Sequence, residues 1–173
     1  MEPADVILVL LAQQGDRDAL NKLLERVQDR LFRYISRLLN DTAAAEDVLQ
    51  ETLLRIARKI QWLNEPSVFE AWAYRIASRE VFRMAKRSGA AAATEELDVD
   101  LAAPDVQPPR MTWDELGRLT RELSPECRAV MALHYGEDRP LKEVAEILDV
   151  PLGTVKSRLG YGLARLRGMV SRP

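Results

Sequence analysis

Apolar residues recur at helical spacing along most of the chain, and strand patterns are almost absent. The longest stretch runs from Asp16 to Leu39, where apolar side chains follow i, i+3, i+4 spacing and share one helix face. Similar spacing predicts helices over 4–13, 42–60 and 67–87. Each apolar stripe needs a partner surface, so we predict that residues 1–87 form a helical bundle.

Polar residues mark the expected ends of these helices. Gly15 follows the first helix, and Asp41 or Thr42 is suited to cap the third. Ser67, with Glu70 three residues later, has the spacing of a capping box for the fourth helix.

Residues 88–110 have a different composition. They contain small residues, three prolines and five acidic residues, with no apolar stripe. We interpret this segment as a flexible acidic linker. It would separate an N-terminal domain at 1–87 from a C-terminal domain at 111–173.

The C-terminal domain shows a second set of helical signals. Helices are predicted over 112–123, 125–135 and 140–148, and a fourth begins at Thr154 as its N-cap and ends near Met169. Residues 149–153 read as a turn in which Asp149 tolerates left-handed geometry. A short helix, a tight turn and a basic helix predict a helix-turn-helix, so the fold class is all-α with two small domains.

Composition excludes several classes of protein. The single cysteine, Cys127, cannot form a disulfide within the chain, and with the single histidine, His134, it supplies too few ligands for a Cys/His zinc site. We interpret this pair as a buried thiol and a helix-end histidine rather than as a catalytic pair. No cofactor motif is present. No apolar run reaches membrane-spanning length, and acidic residues precede the short run at 6–12, so the chain is predicted to be cytoplasmic without membrane insertion.

Positive charge is concentrated at the end of the chain, although the net charge is −2. From Val150 onward there are five basic residues and no acidic one. The start of a recognition helix reads base edges in the major groove, and later basic residues contact phosphates. The alternative is an ordinary helical hairpin with a solvated basic face. The candidate DNA-binding residues here are Thr154, Lys156, Ser157, Arg158 and Arg165.

A second basic stripe lies on the fourth helix of the N-terminal domain. Arg75, Arg79 and Arg83 share one face, and Trp72 lies among the neighbouring positions. Such a face suits phosphate contact with stacking on unpaired bases. The alternatives are a solvated helix face, and a Trp72 that belongs to the core.

An acidic patch is predicted on the third helix. Asp47, Gln50 and Glu51 have i, i+3, i+4 spacing and therefore lie together. They could bind an arginine-rich partner helix through charge-assisted hydrogen bonds. Taken alone, a solvated acidic face explains them equally well.

Three segments in order resemble the extracytoplasmic-function class of bacterial sigma factors. They are AEDVLQETLLRIAR at 45–58, FEAWAYRIASREVFR at 69–83 and LSPECRAVMALHYGEDRPLKEVAEILDVPLGTVKSRL at 123–159. The resemblance covers nearly the whole chain. It implies sigma region two at 1–87, sigma region four at 111–173, and core RNA polymerase, promoter DNA and an anti-sigma factor as partners.

The resemblance also implies roles for the candidate residues. The patch of Asp47, Gln50 and Glu51 would bind the clamp coiled coil of the polymerase. The loop at 62–68 would capture a flipped base of the minus-ten element, which the following helix would help to melt. The helix beginning at Thr154 would read the minus-thirty-five element. The minus-ten residues are Trp62, Asn64, Ser67, Trp72, Arg75, Arg79 and Arg83.

Two departures from the family pattern affect the DNA-facing helices. Ser78 and Arg79 stand where relatives often have Arg-Asn, and Gly160-Tyr161-Gly162 interrupts a recognition helix that usually continues with arginines. We therefore expect weak promoter binding by the free protein.

Three other hypotheses remain open. A helix-turn-helix regulator that does not act as sigma would explain residues 124–170 but leave the pattern at 42–87 without a role. A protein-binding module that lost promoter function would fit the departures. An enzyme would need catalytic residues that the sequence does not offer.

Overall fold

A computed structural model of the protein describes residues 3–39, 41–87, 120 and 123–170. These residues form helices and turns, with no strand among them, as the all-α prediction required. The chain divides into two compact units, Met1–Val81 and Phe82–Pro173. The predicted linker and most of the predicted helix at 112–123 lie outside the described residues, and the domain boundaries at 87 and 111 stay a prediction.

The four predicted helices begin in the first unit, and the last of them continues six residues beyond its end at Val81. They are α1 (Pro3–Gln13), α2 (Arg17–Leu39), α3 (Thr42–Lys59) and α4 (Phe69–Arg87). Two short 3-10 turns, Ile60–Trp62 and Pro66–Val68, connect α3 to α4. The apolar periodicity therefore located each helix to within about two residues of its observed ends.

Helix α2 lies at the centre of the first unit, between α1 and α3. Most of its predicted apolar stripe is buried, Leu20, Leu24 and Phe32 are half-buried, and the helix also contributes Tyr34 to the core. The Tyr34 ring meets Tyr74 of α4 edge to face, with ring centroids 5.2 Å apart. The fully or nearly fully buried side chains of the stripe are Leu23, Val27, Leu31, Ile35 and Leu38.

Short polar side chains end and begin the helices of the first unit. Gly15 takes a left-handed φ of 92° after α1, a conformation that glycine adopts without strain. Asp16 then caps α2, because its Oδ1 accepts from the backbone N–H groups of Asp18 and Ala19. Asp41, rather than Thr42, caps α3 through a 3.1 Å bond from the Ala44 amide.

The predicted capping box at the start of α4 is wrong. Glu65 accepts from both the amide and the hydroxyl of Ser67, at 3.2 and 2.7 Å. Glu70 instead accepts from Arg30 Nη2 of α2 at 2.7 Å. Arg30 offers the Glu70 carboxylate a charged donor, whereas the Ser67 amide would offer a neutral one, and this tertiary partner was invisible in the local spacing.

Beyond the end of α4, the described residues of the second unit form three helices and one π-helical turn. They are α5 (Pro125–Met131), the turn Ala132–Gly136, α6 (Leu141–Leu148) and α7 (Leu152–Val170). Ser124 caps α5 as predicted, by accepting from the Cys127 amide at 3.3 Å. Helix α7 packs on both α5 and α6. Its buried stripe is Val155, Leu159, Leu163 and Leu166.

The turn between α6 and α7 has the predicted left-handed residue but not the predicted cap. Asp149 lies at φ 58° and ψ 47°, and the amide of Val150 bonds to the Ala145 carbonyl at 3.1 Å. Helix α7 begins at Leu152, and the carbonyl of Pro151 accepts from Val155. Thr154 is therefore inside the first turn and not the N-cap, because the Pro151 carbonyl already accepts the first hydrogen bond of the helix.

Gly162 marks a close approach of α7 to α5. A Cβ at this position would lie 2.8 Å from Sδ of Met131, which is fully buried. The glycine that interrupts the usual basic run thus has a packing reason on the inner face of α7.

Candidate nucleic-acid and polymerase interfaces

The loop between α3 and α4 presents an exposed tryptophan. Trp62 is 71% exposed, whereas Leu63 beside it is buried. Large aromatic side chains are normally well buried, so this exposure requires an explanation. Asn64 and Ser67 are also exposed on this loop. The structure therefore places the three predicted loop residues at the surface of one short segment.

Two polar side chains shape this loop, and sequence reasoning missed both. The side-chain amide of Gln13, in α1, donates to the carbonyls of Ile60 and Leu63 at 3.0 and 2.6 Å. The Glu65 carboxylate accepts hydrogen bonds from the hydroxyl and the amide of Ser67. These bonds lower the pKa of Glu65, and the bond from the hydroxyl has the larger effect. The Gln13 contacts span 47 and 50 residues, so no local pattern could reveal them.

Helix α4 presents its candidate residues with unequal exposure. Arg79 is exposed, whereas Arg75, Arg83 and Trp72 are half-buried. The Trp72 ring lies 6.1 Å from that of Phe69, so it is neither fully core nor freely exposed.

The two departures at 78 and 79 have different positions on α4. Ser78 is buried and bonds to the Tyr34 hydroxyl at 2.7 Å and to the Tyr74 carbonyl at 2.8 Å. Arg79, by contrast, faces outward. Only the second of these two residues is therefore placed to contact DNA.

The acidic patch on α3 is linked to α4 by an arginine. Asp47 and Gln50 lie on the outer side of α3, and Glu51 accepts from Nε of Arg55 at 2.7 Å. The same Nε lies 2.8 Å from Oε1 of Glu80, which is only 6% exposed. The i, i+4 spacing of Glu51 and Arg55 predicts their ion pair from the sequence. No local spacing predicts the contact of Arg55 with Glu80, which lies on another helix.

The start of α7 carries the second set of candidate DNA-binding residues. Lys156 and Arg165 are exposed, whereas Thr154 and Arg158 are half-buried. The hydroxyl of Ser157 donates to the Gly153 carbonyl at 3.1 Å, and its oxygen keeps lone pairs for an incoming donor. Thr154, Lys156, Ser157 and Arg158 thus lie in the first two turns of α7 outside its buried stripe, and Arg165 lies about two turns further along.

Cys127 and His134 have separate structural surroundings. Burial raises the pKa of the buried Cys127 thiol, an effect that the Ser124 hydroxyl and the charge of Arg158 partly offset. Nδ1 of His134 bonds to the Arg139 carbonyl at 2.8 Å, at the end of the π-helical turn. The interpretation as a buried thiol and a helix-end histidine is confirmed.

Membrane spans and metal clusters are both absent from the described part of the chain. None of its helices combines the length and the apolar character needed to cross a membrane. Within the same residues, no group of three or more His, Cys, Asp or Glu side chains is arranged to hold a metal ion.

Comparison with known proteins identifies the two units. Residues 23–90 match sigma-70 region 2, and residues 121–168 match sigma-70 region 4. The chain is 32% identical to the ECF RNA polymerase sigma-E factor of Haemophilus influenzae, covering 90% of this chain and 89% of that protein. It is 30% identical to the ECF sigma factor SigW of Bacillus subtilis, covering 90% of each. It is also 32% identical to SigE of Mycolicibacterium smegmatis, but spans 65% of that longer protein.

Solved structures share the fold. CnrH, in complex with the cytosolic domain of CnrY, aligns with a TM-score of 0.70 at 20% identity, covering 96% of this chain and 97% of that one. The sigma factor RpoE of Bartonella quintana, in complex with the anti-sigma factor NepR, aligns with a TM-score of 0.66 at 23% identity, covering 88% and 98%.

A helical region two and a helix-turn-helix region four define a transcription initiation factor. Such a protein binds core RNA polymerase and directs it to promoter DNA. The chain belongs to the extracytoplasmic-function sigma factors.

Proposed function

We propose that this sigma factor opens promoters by holding an unpaired minus-ten base on the loop around Trp62. The observation that supports this proposal is the 71% exposure of Trp62 in a loop that Gln13 and Glu65 hold in place. Unstacking a base costs a few kcal/mol, and stacking on an aromatic ring returns about 1–3 kcal/mol. A surface that binds the opened strand therefore shifts the equilibrium towards melted DNA.

Helix α4 would continue this surface along the opened strand. Arg75, Arg79 and Arg83 recur along one face of the helix, which suits contact with successive phosphates. Trp72 lies one turn after the loop, where its half-buried ring could border the captured base. Asn64 and Ser67 offer polar groups to the edge of that base.

The two other proposed surfaces bind polymerase and the upstream promoter element. Asp47, Gln50 and Glu51 would bind the clamp coiled coil of the polymerase largest subunit. The residues at the start of α7, Thr154, Lys156, Ser157 and Arg158, would read the minus-thirty-five element, and Arg165 would contact its backbone. All three surfaces act by binding, so we infer no active site, and we place the protein in the cytoplasm with the polymerase that it serves.

Run-off transcription with bacterial core polymerase tests the loop. The template is a promoter that the wild-type holoenzyme selects from a randomised library. We expect Trp62→Ala to reduce transcripts roughly 5- to 150-fold, the equivalent of about 1–3 kcal/mol of lost stacking. Gln61→Ala, a neighbouring exposed loop residue, is the matched control and should change little. Equal activity of wild type and Trp62→Ala would contradict the proposal.

Binding to core polymerase tests the acidic patch. Charge reversal of exposed Asp47 should weaken binding to core, because an arginine-rich partner would then face a like charge. Glu25→Arg makes a charge reversal at an exposed position of α2, on a different helix, and is the control. Fluorescence anisotropy of labelled protein titrated with core measures both. Unchanged affinity of Asp47→Arg would exclude this surface as the docking site.

We also propose that an anti-sigma factor holds the protein inactive. Family membership supports this, and in the solved structure of RpoE described above that sigma factor is bound to the anti-sigma factor NepR. A complex isolated from unstressed host cells should give no run-off transcripts with added core, and removal of the partner should restore them. Full activity of the untreated complex would rule out this mode of control.

A further inference from the structure

The side-chain amide of Gln13 connects parts of the first unit that are far apart in sequence. Its Nε2 lies 3.0 Å from the Ile60 carbonyl oxygen and 2.6 Å from that of Leu63. Both partners are acceptors, so only the NH₂ end of the amide can face them, and its two N–H bonds match them in number. If the amide were turned by 180°, the Gln13 side-chain oxygen would face the two carbonyl oxygens, and the three would repel one another.

Gln13 is itself firmly placed. It is the last residue of α1, where the Gly15 amide bonds to the Ala12 carbonyl and the Asp16 amide to that of Leu11. Asp16 then caps α2, the central helix of the unit. The amide of Gln13 thus fixes the loop to the junction between α1 and α2.

The two carbonyls that Gln13 holds bracket the exposed tryptophan. Ile60 and Leu63 are buried, whereas Trp62 between them is 71% exposed. A side chain with so few contacts of its own takes its position from the backbone that carries it. Holding both flanking carbonyls therefore restricts where the Trp62 ring can lie.

We propose that Gln13 is a positioning residue for promoter opening, which rests on the proposed function of the loop. It sets the backbone of 60–63 so that Trp62 is arranged for a captured base before DNA arrives. A binding loop that is already ordered loses little conformational entropy when its ligand binds, so it binds that ligand more tightly. The residue lies in α1, outside the matched region-two segment that starts at residue 23.

The mobility of the Trp62 ring tests the first step without DNA. In the full chain with Trp72→Phe and Trp113→Phe, Trp62 is the sole tryptophan, and its fluorescence anisotropy decay reports motion of the ring. Gln13→Met keeps the side-chain length and removes both donors, and should increase the amplitude of nanosecond motion. Gln14→Met, at the adjacent exposed glutamine, is the matched control. Identical decays for the two variants would overturn the proposal.

Promoter selection and transcription by the holoenzyme test the second step. Loss of two hydrogen bonds predicts about a tenfold reduction in run-off transcripts for Gln13→Met, with core binding unchanged. Selection from a promoter library randomised in the minus-ten element should also show a weaker preference at the captured base. A purely structural clamp would lower thermal stability and leave that preference intact, which would overturn the positioning role.

Two further variants separate the possible failures. Gln13→Glu replaces the donor by a carboxylate facing two carbonyls, and should reproduce the defect if Gln13→Met does not fold. If Trp62→Ala reduces transcription and neither Gln13 variant does, the positioning role is wrong and the loop keeps its function. If Trp62→Ala has no effect, the proposed function of the loop fails, and this inference fails with it.

Discussion

Replacement of Gly162 by alanine sets two effects of known size against each other. In the interior of a helix, alanine is more favourable than glycine by about 1 kcal/mol. At this position, however, the new Cβ would lie 2.8 Å from Sδ of Met131, well inside the roughly 3.5–4.0 Å of an ordinary contact. Met131 is fully buried, so its sulfur can move only by displacing other core atoms.

Overpacking of this kind costs about 1–3 kcal/mol. We therefore expect Gly162→Ala to lower the free energy of unfolding of the α5–α7 packing by about 0–2 kcal/mol. Gly168 lies in the same helix, and a Cβ there would meet no neighbouring atom within 4 Å, so Gly168→Ala should stabilise by up to about 1 kcal/mol. The difference between the two variants isolates the cost of the contact.

Native-state hydrogen exchange of the α7 amides measures this free energy locally in the full chain, without assuming that both units unfold together. A second background sharpens the test. Met131→Ala removes the sulfur at a cost of about 2–5 kcal/mol, and in that background Gly162→Ala should become stabilising. The reasoning would be refuted if Gly162→Ala stabilised the wild-type protein as much as Gly168→Ala does.

Three other predictions concern charge and the thiol. Arg55→Met should destabilise the first unit by about 1–3 kcal/mol in urea titrations, because it leaves the buried Glu80 carboxylate without this charged partner. Arg26→Met, at the more exposed pair with Asp5, should cost less than about 1 kcal/mol. Equal losses of stability in the two variants would contradict this reasoning. Burial raises the pKa of Cys127, so the unfolded chain loses the thiol proton at lower pH than the folded one. Stability should therefore fall as the pH rises above about 8.5, and disulfide reagents should react more slowly at about pH 8 than with a free thiol. Lys156→Ala should reduce the slope of log affinity for promoter DNA against log salt by about 0.9, as for one lost phosphate contact, and an unchanged slope would exclude that contact.

The helices of both units follow from local patterns in the sequence. Apolar spacing located α2 and α7 because a helix that buries one face needs apolar residues every three or four positions. Asp41 and Ser124 were recognisable as caps because their partners lie three residues away. Asp149 could be expected in left-handed geometry because few residue types tolerate it.

The errors occurred where a local signal had a stronger competitor. Ser67 and Glu70 have the spacing of a capping box, but Arg30 on another helix offers Glu70 a charge-assisted bond. Thr154 resembles an N-cap, but α7 already begins at Leu152. In both cases, spacing identified the right region and packing selected the partner.

The sequence by itself determined that the protein is helical, that it carries a helix-turn-helix, and which surface residues are candidates for DNA and polymerase. These properties depend on periodicity, caps and charge within a few residues. Only the tertiary structure decided that Gln13 holds the Trp62 loop, that Arg55 joins Glu51 to Glu80, and that Gly162 faces Met131. Such contacts join residues distant along the chain, and they exist only once packing has brought the helices together.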